Sequence, residues 1–128
     1  MSQTIFRHFF SRELKTEILI DAPKEVVWKI LCDLSQYSKW NSFLPEADGT
    51  VKPNAVIGIM ICPAGEKARP YKVRVTSVEE LAIFSWRGHF VVPGLIDGDH
   101  TFELKSQGSR QTLFVQRESF TGFLVPFV

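Results

Sequence analysis

Hydrophobic and polar residues alternate through most of this chain, and the period breaks clearly only once. Leu14, Thr16, Ile18 and Ile20 fall on one side of an extended segment and Lys15, Glu17 and Leu19 on the other, which predicts a first strand over 14–20. Asp21-Ala22-Pro23 ends that segment. Proline suits the start of a helix, and the acids Asp21 and Glu25 suit its dipole. Val27, Ile30, Leu31 and Leu34 then recur at helical spacing, so a helix with one apolar stripe is expected over about 23–32, followed by a second short helix or turn over 34–40. From Phe43 onward the texture is strands and turns. Gly or Pro punctuates the chain at Asp48-Gly49, Pro53-Asn54, Pro93-Gly94, Asp97-Gly98 and Gln107-Gly108, among other turns. Between the turns, 56–62, 71–78, 81–86, 100–105 and 111–119 are rich in β-branched and aromatic residues. Tyr71, Val73 and Val75 alternate with Lys72, Arg74 and Thr76, as in a sheet with one packed and one wet face. The order of strand, helix pair and hairpins predicts an α+β fold, a curved antiparallel sheet of about seven strands carrying two short N-terminal helices. Residues 14–128 read as one domain preceded by an N-terminal extension, 1–13.

Composition narrows the function without naming it. Of 128 residues, 45% are apolar and 23% charged, which fits a globular domain with an ordinary core. Fifteen basic residues against fourteen acidic ones leave a formal charge of +1, so no field steers the chain to nucleic acid or an anionic membrane. Eleven Phe residues against two Tyr supply large apolar area with no polar handle, suited to a core or to the wall of a greasy pocket. Cys32 and Cys62 are the two cysteines and read as buried reduced thiols. No run is apolar for long enough to span a bilayer, and residues 1–10 lack the order of a signal peptide, so a cytoplasmic protein without stable membrane insertion is expected. No metal, nucleotide or nucleophile-elbow motif is present, and no metal or cofactor is expected.

Four segments resemble a known family. Ile18-Leu19-Ile20-Asp21-Ala22-Pro23-Lys24-Glu25-Val26-Val27-Trp28 resembles the opening of the START-like, or SRPBCC, superfamily, which includes polyketide cyclase/dehydrase-like proteins and the Bet v 1 allergens. Tyr37-Ser38-Lys39-Trp40-Asn41-Ser42-Phe43 resembles its Y-x-x-W-N-P-F signature, with Ser42 in place of proline. Gly98-Asp99-His100-Thr101-Phe102-Glu103-Leu104 resembles its G-D-H-x-F-x-L strand, and the run from Phe114 to Gly122 its last strand and the turn after it. The resemblance implies a helix-grip fold, in which an incomplete barrel curls around a long C-terminal helix over a deep cavity that takes lipids, sterols, polyketides or other apolar ligands. It also implies that this chain, ending at Val128, lacks that helix or is shortened. Phe120, Phe123, Leu124 and Phe127 recur at helical spacing, as a helix just begun would. An open concave face would then call for a second copy of the chain, as a homodimer.

The expected pocket is lined by Val73, Val75, Trp86, Phe90, His100, Phe102, Leu104, Phe114 and Glu118. His100 shares a strand face with Phe102 and Leu104, and Glu118 with Phe114, Gln116 and Phe120. If both faces are concave, a histidine and a carboxylate look into one apolar space, where they are candidates for acid–base work on a ketone or enol, or for satisfying turn backbone and each other. Trp28, Trp40 and Trp86 read as core, with Trp40 plugging the junction of short helix and sheet. The apolar loop 89–98 reads as a lid or as edge-strand packing. Two functions stand side by side: binding or carriage of a small hydrophobic ligand, and a small cyclase or dehydratase using His100 and Glu118. A protein–protein adaptor is a third. The absence of catalytic motifs favours the binder.

Overall fold

The computed structural model describes residues 2–8, 11–62, 65–90 and 96–122. Alternating side chains build one antiparallel eight-stranded sheet: β1 (Ser2–His8), β2 (Ser11–Ile20), β3 (Glu46–Asp48), β4 (Val56–Ile61), β5 (Arg69–Glu79), β6 (Ile83–Phe90), β7 (Ile96–Gln107) and β8 (Gln111–Thr121). Their order across the sheet is β1-β2-β8-β7-β6-β5-β4-β3, every neighbour antiparallel. Helix α1 (Lys24–Cys32) and a 3-10 helix (Leu34–Lys39) lie between β2 and β3 in the chain. The α+β architecture of an antiparallel sheet with helices on one face is thus present, with eight strands rather than about seven.

The added strands are the ones whose pattern is weak. Ser2–His8, within the stretch that reads as an N-terminal extension, pairs with Ser11–Glu17 as an edge strand. Glu46-Ala47-Asp48 has no β-former and is extended because it pairs with Gly58–Met60. The chain from Leu81 is a turn rather than a strand: Leu81 takes a left-handed φ of 63° and β6 begins two residues later. β5 is irregular between Val75 and Ser77, a bulge that sharpens local twist and bends the strand.

Register puts one row of side chains on the concave face. Leu14, Glu118, His100, Trp86 and Val75 sit side by side across β2, β8, β7, β6 and β5, and Thr16, Gln116, Phe102, Phe84 and Val78 form the next row. The core lies between this face and the helices. Val27 and Leu31 of α1, Leu34 and Tyr37 of the 3-10 helix, and Leu44 are all buried. The helical stripe is narrower than its spacing suggests, since Ile30 is half exposed. Pro23 caps α1, its carbonyl accepting from the Val26 and Val27 amides. The buried Thr112 hydroxyl donates to the Ala22 carbonyl at 2.8 Å and so pins the helix start to β8. Neither cysteine is in a disulfide, both are half-buried, and burial pushes the Cys32 thiol up to about 11.

Charge pairs hold the outer face. Arg87 forks onto Asp99 at 2.8 and 2.9 Å, and Arg117 donates to Glu103 at 2.7 Å. That hydrogen bond, helped by Lys105, holds the Glu103 carboxyl below its ordinary value. A carboxyl depressed in the folded state adds stability that is present above its unfolded value of 4.5 and lost as pH falls through the folded one. Arg117→Leu should therefore flatten the loss of stability seen below about pH 4.5 in acid titrations. A variant whose acid profile superimposes on the parent's would contradict this.

Candidate functional site

The site forms where β7 and β8 lie in register, with His100 opposite Glu118 and Phe102 opposite Gln116. The strand period brings all four to the concave side. His100 is 4% exposed. Its ring stacks on Phe102, with centroids 4.1 Å apart and planes 25° apart, and leans on Trp86 at 5.1 Å. Phe102 in turn stacks on Phe84 and Phe114. An imidazole wedged in this way has little rotational freedom.

Its two nitrogens meet different partners. Nε2 lies 3.2 Å from the Gln116 Oε1. Nδ1 lies 3.2 Å from the Glu118 Oε1, yet it is buried and makes no hydrogen bond among the described residues. An unsatisfied buried polar atom is costly, of order 1–3 kcal/mol, and such atoms mark strain or a function.

Two clefts meet at this pair. The inner one, about 380 Å³, is bounded by Leu14, Phe43, His100, Phe102, Phe114, Gln116 and Glu118, with Thr16, Trp40, Asn41, Ser42 and Leu44. The outer one, about 490 Å³, has Arg12 and Asp99 at its wall beside Phe43, Ile61, Tyr71, Trp86, Gly98, His100, Glu118 and Phe120. Both sizes lie in the range of small-molecule sites, and mostly apolar walls with a few polar groups are their usual form. A larger groove of about 730 Å³ runs between the 3-10 helix and β3–β5, but His100 and Glu118 do not line it.

Phe43 belongs to both clefts because of the turn before it. The Asn41 Oδ1 accepts from the amides of Phe43 and Leu44, at 3.1 and 2.8 Å, the local turn that Asn side chains favour. Leu44 is thereby driven into the core while Phe43 stays 43% exposed. The Phe43 carbonyl accepts from the Cys62 amide at 2.8 Å, tying the turn to the end of β4.

The residues singled out from the sequence divide between cleft and core. His100, Phe102, Phe114 and Glu118 line the inner cleft, and Trp86, His100 and Glu118 the outer. Val73, Val75 and Leu104 are buried and line neither, because the helices cover their part of the face. The Phe90 side chain, the segment 91–95 of the expected lid, and residues 123–128 of the expected terminal helix lie outside the described residues. Phe120, taken above as a possible start of that helix, belongs to β8. Trp40 does not plug the helix–sheet junction: it is 48% exposed, edge-on to Tyr37 at 4.9 Å, and borders the inner cleft. Leu14, Phe43 and Gln116 were missed as site residues. Gln116 had a visible signal in its place between Phe114 and Glu118 on one strand face, and Leu14 and Phe43 had weaker ones in the alternation of 14–20 and in the 37–43 motif. Among the described residues, no three His, Cys, Asp or Glu converge as a metal site, and no helix is long and apolar enough to cross a membrane.

Comparison with known proteins places this geometry. Several solved structures share the fold at low identity. A Zhui aromatase/cyclase from Streptomyces sp. R1128 superposes with a TM-score of 0.72 at 16% identity, over 87% of this chain and 68% of that one. A START superfamily protein from Mycobacterium smegmatis gives 0.71 at 15%, over 89% and 80%. Norcoclaurine synthase from Thalictrum flavum gives 0.62 at 12%, over 86% and 69%. No curated protein matches the sequence. A family model described as polyketide cyclase/dehydrase and lipid transport matches residues 11–128, nearly the whole chain, and the chain belongs to that family.

Proposed function

We propose that this protein binds a small hydrophobic molecule in the joined clefts around His100. The observation that carries the reading is a buried, partly unsatisfied imidazole walled by Phe102, Trp86 and Phe114 at the meeting point of two mostly apolar clefts. Apolar walls provide affinity in proportion to the area they remove from water, about 25 cal/mol per Å², and the His100–Glu118–Gln116 group orients one polar end of the ligand. Membership of a family described by both cyclase/dehydrase and lipid-transport activity supports ligand binding.

A second reading draws on the same pair. His100 and Glu118 lie 3.2 Å apart on the wall of both clefts, so a bound ketone or enol would face a candidate acid and a candidate base together. Binding comes first in either case, so it is the property to test. A neutral environment-sensitive dye, N-phenyl-1-naphthylamine, should show saturable fluorescence enhancement with the purified chain. Phe43→Asp places a charge at the border of both clefts from a position that is already exposed. It should weaken dye binding by about tenfold or more, equivalent to ~1.4 kcal/mol, with little change in Tm. Unaltered dye affinity in a folded Phe43→Asp protein would place the ligand elsewhere.

A further inference from the structure

The polar group at the meeting point of the clefts is short of a proton donor. An amide oxygen can only accept a hydrogen bond. Because Gln116 presents Oε1 to the His100 Nε2 at 3.2 Å, the ring proton of the neutral imidazole is drawn to Nε2. Nδ1 is then a lone pair. It faces the Glu118 Oε1 at 3.2 Å, and an ionised carboxylate is also acceptor-only. The two atoms nearest each other are then both acceptors, and their 3.2 Å contact does not have the alignment of a hydrogen bond, so Nδ1 is left without one. A proton on Nδ1 would face Glu118, but the carboxylate would have to realign before it could accept from it. Stacking on Phe102 and packing on Trp86 keep the ring from exchanging its nitrogens by a flip. Glu118 is a quarter exposed on the wall of both clefts, where a bound molecule can reach its carboxylate.

We infer that Gln116 is a positioning residue that holds His100 as the Nε2–H tautomer, leaving Glu118 to take its hydrogen bond from the ligand, so that the site selects apolar molecules carrying a hydroxyl donor such as a phenol or enol. This rests on the ligand-binding reading above and adds the polar chemistry of the ligand. A site built to pair a ligand hydroxyl discriminates against an analogue lacking it, because an apolar body seated against the Glu118 carboxylate displaces its water and leaves it unpaired.

The test uses the full chain and two probes of nearly equal size, a naphthol and its methyl ether. The ether keeps the apolar body and an acceptor oxygen but has no donor. The naphthol should bind about tenfold or more tightly than the ether, and the His100 ring-nitrogen chemical shifts should report protonated Nε2 with unprotonated Nδ1. In Gln116→Leu the ring proton should move to Nδ1, and the preference should shrink to about threefold or less while both probes still bind. That shift of tautomer is a signature that a purely structural role for Gln116 would not produce. Equal, measurable affinities for the two probes in the parent chain would overturn the inference and leave ligand binding intact. So would a parent ring protonated at Nδ1, alone or together with Nε2. Failure of both probes to bind would overturn this inference and the ligand-binding reading together.

Discussion

Truncating Phe102 to alanine should lower the stability of the chain by about 3–5 kcal/mol, the cost of emptying a buried aromatic site. The ring is 4% exposed and sits in a stacked series, between His100 at 4.1 Å, Phe84 at 5.5 Å and Phe114 at 5.9 Å. Its loss removes transfer free energy and dispersion contacts at once, and neighbours held by sheet register cannot collapse into the space. The same truncation removes the face against which His100 is stacked, so binding of the naphthylamine dye should weaken as well. Phe102→Leu, which keeps most of the volume, should cost less and retain part of the binding. Chemical denaturation with an unchanged m-value would measure the difference. A loss below about 1.5 kcal/mol for the alanine variant would mean that the stack is not the centre of the core.

Replacing Tyr37 by alanine should cost a similar ~3–5 kcal/mol, and the comparison with phenylalanine separates ring from hydroxyl. Tyr37 is 2% exposed, and its hydroxyl donates to the Leu31 carbonyl at 2.6 Å. That carbonyl lies in the last turn of α1, where carbonyls lack partners within the helix. Tyr37→Phe should therefore cost roughly 1–2 kcal/mol by leaving it unpaired. Burial pushes the Tyr37 phenol above its ordinary value of 10.0. A group whose folded value is raised contributes stability that is full below the unfolded value and lost as pH rises toward the folded one. Stability should thus decline above about pH 10, and the decline should be shallower in Tyr37→Phe. Cys32, pushed up to about 11 from 9.0, adds a loss of the same sign beginning lower. Parallel alkaline profiles for parent and Tyr37→Phe would contradict this account.

Much of the architecture was legible in local pattern. The segment around Tyr71–Val75 alternates because one face is packed and the other wet, and β5 forms there. The proline at 23 and the stripe through Val27 and Leu31 placed α1 within a residue of its observed start. Ile30 misled because helical spacing reports which residues could share a face, not how wide a face the rest of the protein covers. β1 and β3 escaped for a different reason. A strand such as Glu46–Asp48 exists only because β4 offers it a hydrogen-bonding edge, and local propensity carries no trace of that edge.

The candidate site divides along the same line. Alternation along one strand suffices to put His100 beside Phe102, and Glu118 beside Gln116, so the chain alone determined which polar residues share an apolar face. It also determined, through four motifs in order, the family to which the chain belongs. Only the tertiary structure decided that His100 and Glu118 stand directly opposite each other, because that follows from the β7–β8 register and not from either strand. It likewise decided that Val73, Val75 and Leu104 belong to the core rather than to a cleft, since the helices, which cover one part of the concave face and leave another open, are far from those residues in sequence. The unpaired state of Nδ1 is the most tertiary fact of all. It depends on how the Glu118 carboxylate is aligned to a ring held by Phe102 and Trp86, a matter of ångströms across three strands, and hydrogen bonding is too short-ranged and directional for any pattern along the chain to fix it.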